Sequence, residues 1–531
     1  MLRRKLGRLL TLTALWLTAS AHVGSTLVVQ EGMAGPYGLR ILVRPPGVIP
    51  GLVEVIVRTT TSGTVPTGVS VRPAFWRYGL KGAPPAEVLT PVPGEAGTFT
   101  AQLWIMQSGS YAFHVQANGP AGDGTLVVPV TSVATTASTV PPWLGWMLAA
   151  LGTFLVFGLI SVVGAATRES SIAPGAAPAP TDRRRARKAM VVAACLIVAM
   201  LTGGWKWWNA VDADYRRQLD KPLAVEGTVT AGDARALTLR VTDSSWTYID
   251  PKEPGVRKQV GTPLIPDHGK LMHLFLVEAG ARGAVAHLHP VRKELSTFTT
   301  PVTGVPAGKY WLFAEVVRES GYTVSMADTV DVPAGASAAN IDGDDAWTAS
   351  PATMGSAPAA LADGGAITIS LDRAPTVRGD VTIRARVTNA DGAPAALAPW
   401  LGMAGHALVV RTDGQVFMHL HPMGTGSMAA QERLLRREAG DTVNHGEAQP
   451  AMTSMPAMPG HDMSAMSGAM SGATGGAAAS EVAATGEVSF PVAFPSAGSY
   501  RVFVQVRRVG RVGRAIETAV LDVTVPVPPA N

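Results

Sequence analysis

The sequence predicts three immunoglobulin-like β-sandwiches outside the membrane and two transmembrane α-helices, an all-β protein with a membrane anchor. Short runs with apolar/polar alternation, separated by Gly, Pro and Thr, fill most of the chain and are typical of strands. Two other stretches are apolar and long enough to cross a bilayer. A length of 531 residues, 47% of them apolar, favours several folded units over a single core.

The N-terminus has the pattern of a secretory signal peptide, predicted to cover residues 1–21. Four basic residues in Met1–Arg8 precede an apolar run at residues 9–17 and then Ala19-Ser20-Ala21, an Ala-x-Ala cleavage site. The run is too short to span a bilayer, so an uncleaved anchor is the less favoured alternative.

Cleavage after Ala21 would leave His22 as the first residue. Its free α-amine and imidazole could together chelate one copper ion, with His114 as a possible partner. The alternative is an exposed terminus and a hydrogen-bonded strand histidine, since Phe313 and Phe503 occupy the positions equivalent to His114.

Residues 143–166 and 189–208 are the two predicted spans, and tryptophans at their ends would anchor them at the interface. The loop between them, residues 167–188, carries six Arg and Lys residues. The positive-inside rule places that loop in the cytoplasm and both flanking segments in the periplasm. The protein is therefore predicted to be a multi-pass protein of the inner membrane. Neither span has a charge near its middle, so an ion pathway is not indicated.

A Gly-x-Tyr repeat supports three related sandwiches. It occurs at Gly109–Tyr111, Gly308–Tyr310 and Gly498–Tyr500, each time at the start of a late strand, and resembles the tyrosine corner of immunoglobulin-like domains. The predicted domains are residues 22–138, 220–333 and 366–527, with an Ala/Asp/Gly/Ser-rich linker at 334–365. No helix is predicted outside the membrane.

Two histidine triplets at matching positions are the strongest functional signal, one in the second domain and one in the third. In the third domain, an Asp413-Gly414 hairpin turn would place His406 opposite His421, with His419 two residues along on the same face. In the second domain, a three-residue loop centred on Ala281 would gather the equivalent residues. The triplets are His273, His287 and His289, and His406, His419 and His421.

Three convergent neutral imidazoles suit copper or zinc. The alternative is that these are core or surface strand histidines followed by proline, but their recurrence at near-identical spacing favours metal. The single cysteine, Cys195, lies in an apolar stretch and excludes a cysteine-built zinc site. The net charge of +5, with no long basic run interleaved with aromatic residues, argues against nucleic-acid binding.

An insertion in the third domain, residues 424–485, is polar and then rich in methionine. Thioethers at short spacing are soft ligands that select Cu(I), so this segment is a candidate copper-capture arm and makes copper the preferred metal. The alternative is an oxidation-prone low-complexity spacer, and either would be disordered without a ligand. The candidate ligands are Met452, Met455, Met458, His461, Met463, Met466 and, at the edge, Met470.

The second and third domains resemble YtkA-like secreted β-sandwich domains. The resemblance lies in residues 267–277, followed by His287-Leu288-His289-Pro290, and in residues 400–406, followed by His419-Leu420-His421-Pro422. It implies an extracytoplasmic immunoglobulin-like fold associated with heavy metals, and adds His268 and, less directly, Met272 as candidate ligands. The third domain departs from the pattern, with Leu401 at the position of His268.

These observations predict a membrane-anchored periplasmic copper-binding protein that captures, sequesters or delivers Cu(I) or Cu(II), with a membrane metalloprotein or copper transporter as a possible partner. No nucleophile motif, phosphate loop or paired carboxylates accompany the histidines, so an enzyme is not predicted. The alternatives are a non-catalytic extracytoplasmic interaction scaffold with structural histidines and, more weakly, copper-dependent redox activity at His22.

Overall fold

The computed structural model divides the chain into two compact units, Met1–Val133 with Lys221–Asn531, and Ala134–Asp220. The predicted signal peptide, His22 and the methionine-rich segment lie outside the residues that it describes. Those residues are 26–60, 64–170, 172–173, 175–231, 234–246, 264–280, 283–336, 342–355, 357–441, 485–509 and 516–529.

The smaller unit contains two helices that are long and apolar enough to cross a membrane, α1 (Pro142–Glu169) and α2 (Pro180–Arg217). Both extend beyond the predicted spans, so the loop predicted at residues 167–188 is shorter. The basic run of that loop forms the first turns of α2, because Pro180 suits the first helical position and Asp182 accepts a hydrogen bond from the Ala179 N–H.

The first sandwich-like domain pairs a five-stranded sheet, β1-β2-β3-β7-β6, with a four-stranded sheet, β5-β4-β8-β9. Alternation builds its core, as in β3, where Val53, Val55 and Val57 are buried while their neighbours are partly exposed. A short 3₁₀ helix, Gly79–Gly82, follows β4. The strands are β1 (Val28–Ala34), β2 (Tyr37–Arg44), β3 (Gly51–Thr59), β4 (Gly68–Phe75), β5 (Glu87–Val88), β6 (Thr90–Pro91), β7 (Thr98–Ile105), β8 (Gly109–Gly119) and β9 (Gly122–Ser132).

The second domain pairs the four-stranded sheet β10-β11-β16-β15 with the six-stranded sheet β12-β17-β13-β14-β19, in which β18 also pairs with β17. A 3₁₀ turn, Ser244–Trp246, buries Trp246 in the core. The strands are β10 (Val225–Thr230), β11 (Ala236–Val241), β12 (Leu264–Ile265), β13 (His273–Glu278), β14 (Val285–Leu288), β15 (Val291–Glu294), β16 (Thr297–Pro301), β17 (Gly308–Arg318), β18 (Thr323–Val332) and β19 (Ala346–Thr348).

The third domain pairs the six-stranded sheet β20-β29-β28-β25-β26, with β24 beside β28, and the four-stranded sheet β21-β22-β23-β27. A helix, α3 (Met428–Glu438), follows β26. The strands are β20 (Ala352–Met354), β21 (Ala359–Ala360), β22 (Ala366–Leu371), β23 (Asp380–Thr388), β24 (Leu397–Ala398), β25 (His406–Arg411), β26 (Phe417–Leu420), β27 (Glu487–Ala493), β28 (Gly498–Arg508) and β29 (Ile516–Val525).

The three predicted tyrosine hydrogen bonds are present. Each hydroxyl donates to the backbone carbonyl four residues upstream: Tyr111 to Gln107 at 2.8 Å, Tyr310 to Pro306 at 2.9 Å and Tyr500 to Ser496 at 2.8 Å. Burial raises the pKa of Tyr111 to about 12, so this hydroxyl remains a donor at physiological pH.

Two predictions about the extramembrane chain were wrong. The helix α3 lies in the insertion that was expected to be without structure; Ser427 caps it, and Ala430 and Leu434 bury one face. The predicted linker contributes strands to both neighbouring domains, since β19 pairs with β14 and β20 pairs with β29. Strands of two or three residues give no periodicity that the sequence could reveal.

The second and third domains share an apolar cluster in addition to their own cores. Along β13, Leu274 and Leu276 belong to the core of the second domain, while Phe275 and Val277 contact the third. Phe417 of the third domain stacks on Phe313 of the second, with ring centroids 4.5 Å apart. Both faces of these strands are therefore buried, and the odd-numbered face of β13 that carries Phe275 also carries His273.

Candidate metal centre

Both hairpins have the predicted register. Phe275 pairs with His287 in β13–β14, and the same ladder, continued by two residues, brings His273 opposite His289. Leu408 pairs with His419 in β25–β26, which likewise brings His406 opposite His421. The predicted loop centre Ala281 lies outside the described residues.

The turn of the second hairpin differs from the predicted Asp413-Gly414 pair without changing the register. The Gly414 N–H donates to the Arg411 carbonyl at 2.8 Å, so Thr412 and Asp413 are the central residues. Gly414 follows with φ 73°, a left-handed conformation that glycine adopts without strain. Asp413 accepts from the Gln415 N–H at 3.0 Å and stabilises the turn.

Each hairpin gathers its three imidazoles on one face. In the second domain the His273 ring lies 5.3 Å from His287 and 5.1 Å from His289, and the last two are 4.8 Å apart, measured between centroids. In the third domain the corresponding distances are 5.4, 5.4 and 4.5 Å. All six side chains are buried. The sequence predicted this convergence, because strand periodicity and turn position are local properties.

The two triplets face each other across the contact between the second and third domains. The ring of His419 lies 5.4 Å from both His273 and His287, and the ring of His406 lies 5.8 Å from His287. The six histidines therefore form one cluster beside the shared apolar cluster, an arrangement that depends on domain docking.

His268 is the seventh member of this histidine cluster. Its ring lies 5.1 Å from His421 and 6.0 Å from His406, both in the other domain. It occupies a tight turn with φ 52°, and Leu401 occupies the equivalent turn of the third domain with φ 51°. Only the family resemblance indicated His268, since no residue pattern in the second domain predicts a histidine that crosses to the third.

The cluster contains two groups of nitrogen atoms close enough to hold a metal ion. The first is His273, His287 and His289, and the second is His268, His406 and His421; within each, one nitrogen per residue lies within 4.8 Å of the others. Among the described residues, Nε2 of His289, His419 and His421 and both ring nitrogens of His406 are buried without a hydrogen-bond partner. Buried polar atoms without partners are costly, and metal coordination would satisfy them.

Oxygen acceptors orient three of these rings so that Nε2 points away from them. Asp345 Oδ1 lies 2.9 Å from Nδ1 of His289, and Glu315 Oε2 lies 3.3 Å from Nδ1 of His419. The Gly426 carbonyl lies 3.4 Å from Nδ1 of His421. This is the arrangement that orients metal-bound histidines in proteins, with a proton held on Nδ1 and Nε2 left as the ligand atom.

A third candidate group, His289 with Asp342 and Asp345, is better explained as support for the first. Asp342 is already bound by Lys270, whose Nζ lies 2.6 Å from Oδ2. Asp345 holds both the backbone N–H and the ring of His289 at 2.9 Å. Asp345 therefore positions His289, and Asp342 is engaged by Lys270.

Burial keeps five of the imidazoles neutral. It lowers the pKa of His273 to about 3 and that of His421 to about 4, and it lowers the pKa values of His287, His406 and His419 well below the ordinary value. Neutral imidazoles are the form that binds metal, so no proton need leave these ligands at neutral pH.

A cavity of about 40 Å³ borders the cluster. Asp267, Glu315, His273, His419 and His421 are among its lining residues. Burial, reinforced by Asp267, raises the pKa of Glu315 to about 7, so a nearby cation would favour its ionised form. The cavity is large enough for a water molecule or a small ion.

Helix α3 begins directly after this site. The Ser427 hydroxyl donates to Asp267 Oδ2 at 2.9 Å and accepts from the Ala430 N–H at 3.1 Å, so one residue both caps the helix and contacts the cavity. The segment that follows α3 contains the predicted methionine ligands, and these lie outside the described residues: Met452, Met455, Met458, His461, Met463, Met466 and Met470.

Two other predicted ligands lie elsewhere. His114 pairs with Glu438 of α3, Nε2 to Oε1 at 2.6 Å, and its predicted partner His22 is outside the described residues. Met272 is fully buried in the core of the second domain and belongs to its apolar cluster.

Comparison with known proteins gives a partial family match. A domain of unknown function, DUF8832, matches residues 360–449, which include His406, His419 and His421. No curated protein sequence matches the chain.

Among solved structures, the chain is similar to dimeric latent PorU from Porphyromonas gingivalis, with 9% identity and a TM-score of 0.14, over 94% of this chain and 34% of PorU. It is also similar to trypsin-activated alpha-2-macroglobulin from Escherichia coli, with 9% identity and a TM-score of 0.14, over 93% of this chain and 26% of that one. The chain thus spans only about a third or less of either neighbour, and scores this low carry no functional argument.

Proposed function

We propose that this protein is a membrane-anchored periplasmic copper-binding protein that captures, sequesters or delivers copper. One observation carries the proposal: seven histidines from two domains converge in a buried cluster in which several ring nitrogens have no other partner. Cysteine is absent from the cluster and the donors are imidazoles, which suit copper and zinc. The methionine-rich segment that follows α3 favours copper, because thioethers select Cu(I).

The topology follows from the charge pattern of the two membrane-length helices. With the basic residues at the start of α2 in the cytoplasm, both flanking segments are periplasmic, and the three sandwiches take the immunoglobulin-like form implied by their tyrosine corners. The methionine-rich segment would collect Cu(I) and transfer it to the buried histidines.

Metal content of the full-length protein, purified in detergent from the membrane fraction, tests this proposal. We expect copper to co-purify with the wild type and the copper content to fall in the His419→Ala, His421→Ala double variant. His114→Ala is the matched control, since it removes a histidine outside the cluster. A wild type that neither retains nor takes up copper would leave the interaction scaffold as the better explanation, with histidines that serve only structure.

A further inference from the structure

The histidine cluster contains two complete and separate ligand triads. His273, His287 and His289 all come from one hairpin of the second domain, whereas His268, His406 and His421 join the second domain to the third. No residue belongs to both triads. Each triad includes ring nitrogens that have no hydrogen-bond partner, such as His289 Nε2 in the first and His421 Nε2 in the second, although His273 Nδ1 and His287 Nε2 share a hydrogen bond of 3.0 Å. A single ion would therefore leave some of these buried nitrogens without a partner.

The triads are adjacent. The rings of His268 and His273 are 6.2 Å apart, and those of His287 and His406 are 5.8 Å apart. His419 lies between the triads, with its ring 5.4 Å from His273 and 4.5 Å from His421. Ions bound in the two triads would therefore be near neighbours, with His419 available to either.

Charge decides which ions can be paired at such a distance. Coulomb repulsion scales with the product of the charges, so it is about fourfold smaller for two monovalent ions than for two divalent ions. Three carboxylates that contact histidines of the cluster reduce the remaining repulsion. Asp267 Oδ1 lies 3.5 Å from His268 Nε2, Glu315 Oε2 lies 3.3 Å from His419 Nδ1, and Asp345 Oδ1 lies 2.9 Å from His289 Nδ1.

We propose that the cluster binds two Cu(I) ions side by side, one in each triad, with His419 as a ligand shared or exchanged between them. This inference rests on the proposed function and specifies its stoichiometry. The ion in the triad of His268, His406 and His421 would also link the second and third domains, because its ligands come from both.

The test is the number of Cu(I) ions bound per chain in a full-length background that lacks the predicted ligands of the N-terminus and of the methionine-rich segment. In that background His22 and His461 are replaced by alanine, and the methionines between residues 452 and 470 by leucine. We expect two ions per chain by elemental analysis after gel filtration, one ion each in His287→Gln and His406→Gln, and two in His114→Ala.

One ion per chain in the background would overturn the paired arrangement but preserve the proposed function. Loss of both ions from either single variant would overturn the assignment of one ion to each triad. Absence of bound Cu(I) from the background, with copper retained by the unmodified chain, would move the site to the methionine segment and overturn the inference. The stoichiometry of the background decides the question even if a glutamine variant fails to fold.

Discussion

Replacement of Asp345 by asparagine should weaken metal binding without disturbing the fold. Its Oδ1 accepts from the backbone N–H of His289 and faces Nδ1 of the ring, both at 2.9 Å, and the two side chains are 4% and 2% exposed. Asparagine can retain an oxygen acceptor but not the charge, and its NH₂ can favour the tautomer that protonates Nε2, the ligand atom. Loss of such a supporting carboxylate costs about 10–100-fold in affinity, or about 1.4–2.8 kcal/mol.

Competition with a chromophoric Cu(I) chelator on the full-length protein measures this change. The matched control is Asp342→Asn, which alters a neighbouring carboxylate bound to Lys270 and should change the affinity less than threefold, roughly 0.6 kcal/mol. Wild-type affinity in Asp345→Asn would refute the orienting role. A larger loss in Asp342→Asn would mean that Asp342 is itself a ligand.

Three further predictions concern the framework around the site. Phe417→Ala should destabilise the contact between the second and third domains by about 3–5 kcal/mol, because the ring is 1% exposed and stacks on Phe313. Calorimetry should show an earlier or separate unfolding transition, and a single unchanged transition would contradict this. Burial alone would raise the pKa of Asp380, but its ion pairs with Arg58 and Arg40 outweigh burial and lower the pKa. These ion pairs therefore stabilise the fold fully above about pH 4, and the stabilisation is lost as the pH falls through the folded-state pKa. Urea unfolding at pH 7 and pH 3 should therefore show a smaller difference in Asp380→Asn than in the wild type, and an equal difference would contradict the assignment. Tyr500→Phe should cost about 0.5–1.5 kcal/mol in urea unfolding, the net value of its 2.8 Å hydrogen bond, with an unchanged copper content.

Local features of the site were predictable because they depend on residues near one another in the chain. The spacing between His406 and His421 and the turn residues between them determine which side chains share a face, and a shift of the turn by one position left the register intact. The tyrosine hydrogen bonds were equally accessible, since each connects residues four apart.

Other features were missed because their signals are short or come from distant residues. Helix α3 has a capping serine and an apolar pair four residues apart, but it lies in a polar insertion whose composition is typical of disorder. The predicted linker contains Asp345 and the β19 strand, which only gain a role when His289 and β14 are beside them. A three-residue strand cannot be distinguished from a linker by pattern.

The sequence alone determined that each hairpin presents three imidazoles on one side, because strand period and turn chemistry act over a few residues. Tertiary structure alone decided where those sides point. The strand faces that carry the histidines could be buried or exposed to solvent. Phe275 and Phe417 lie on these faces, and their docking against each other buried both faces and brought His268 from a neighbouring turn beside His421. Burial on two faces depends on a partner sheet that is remote in the chain, and no local pattern contains that information.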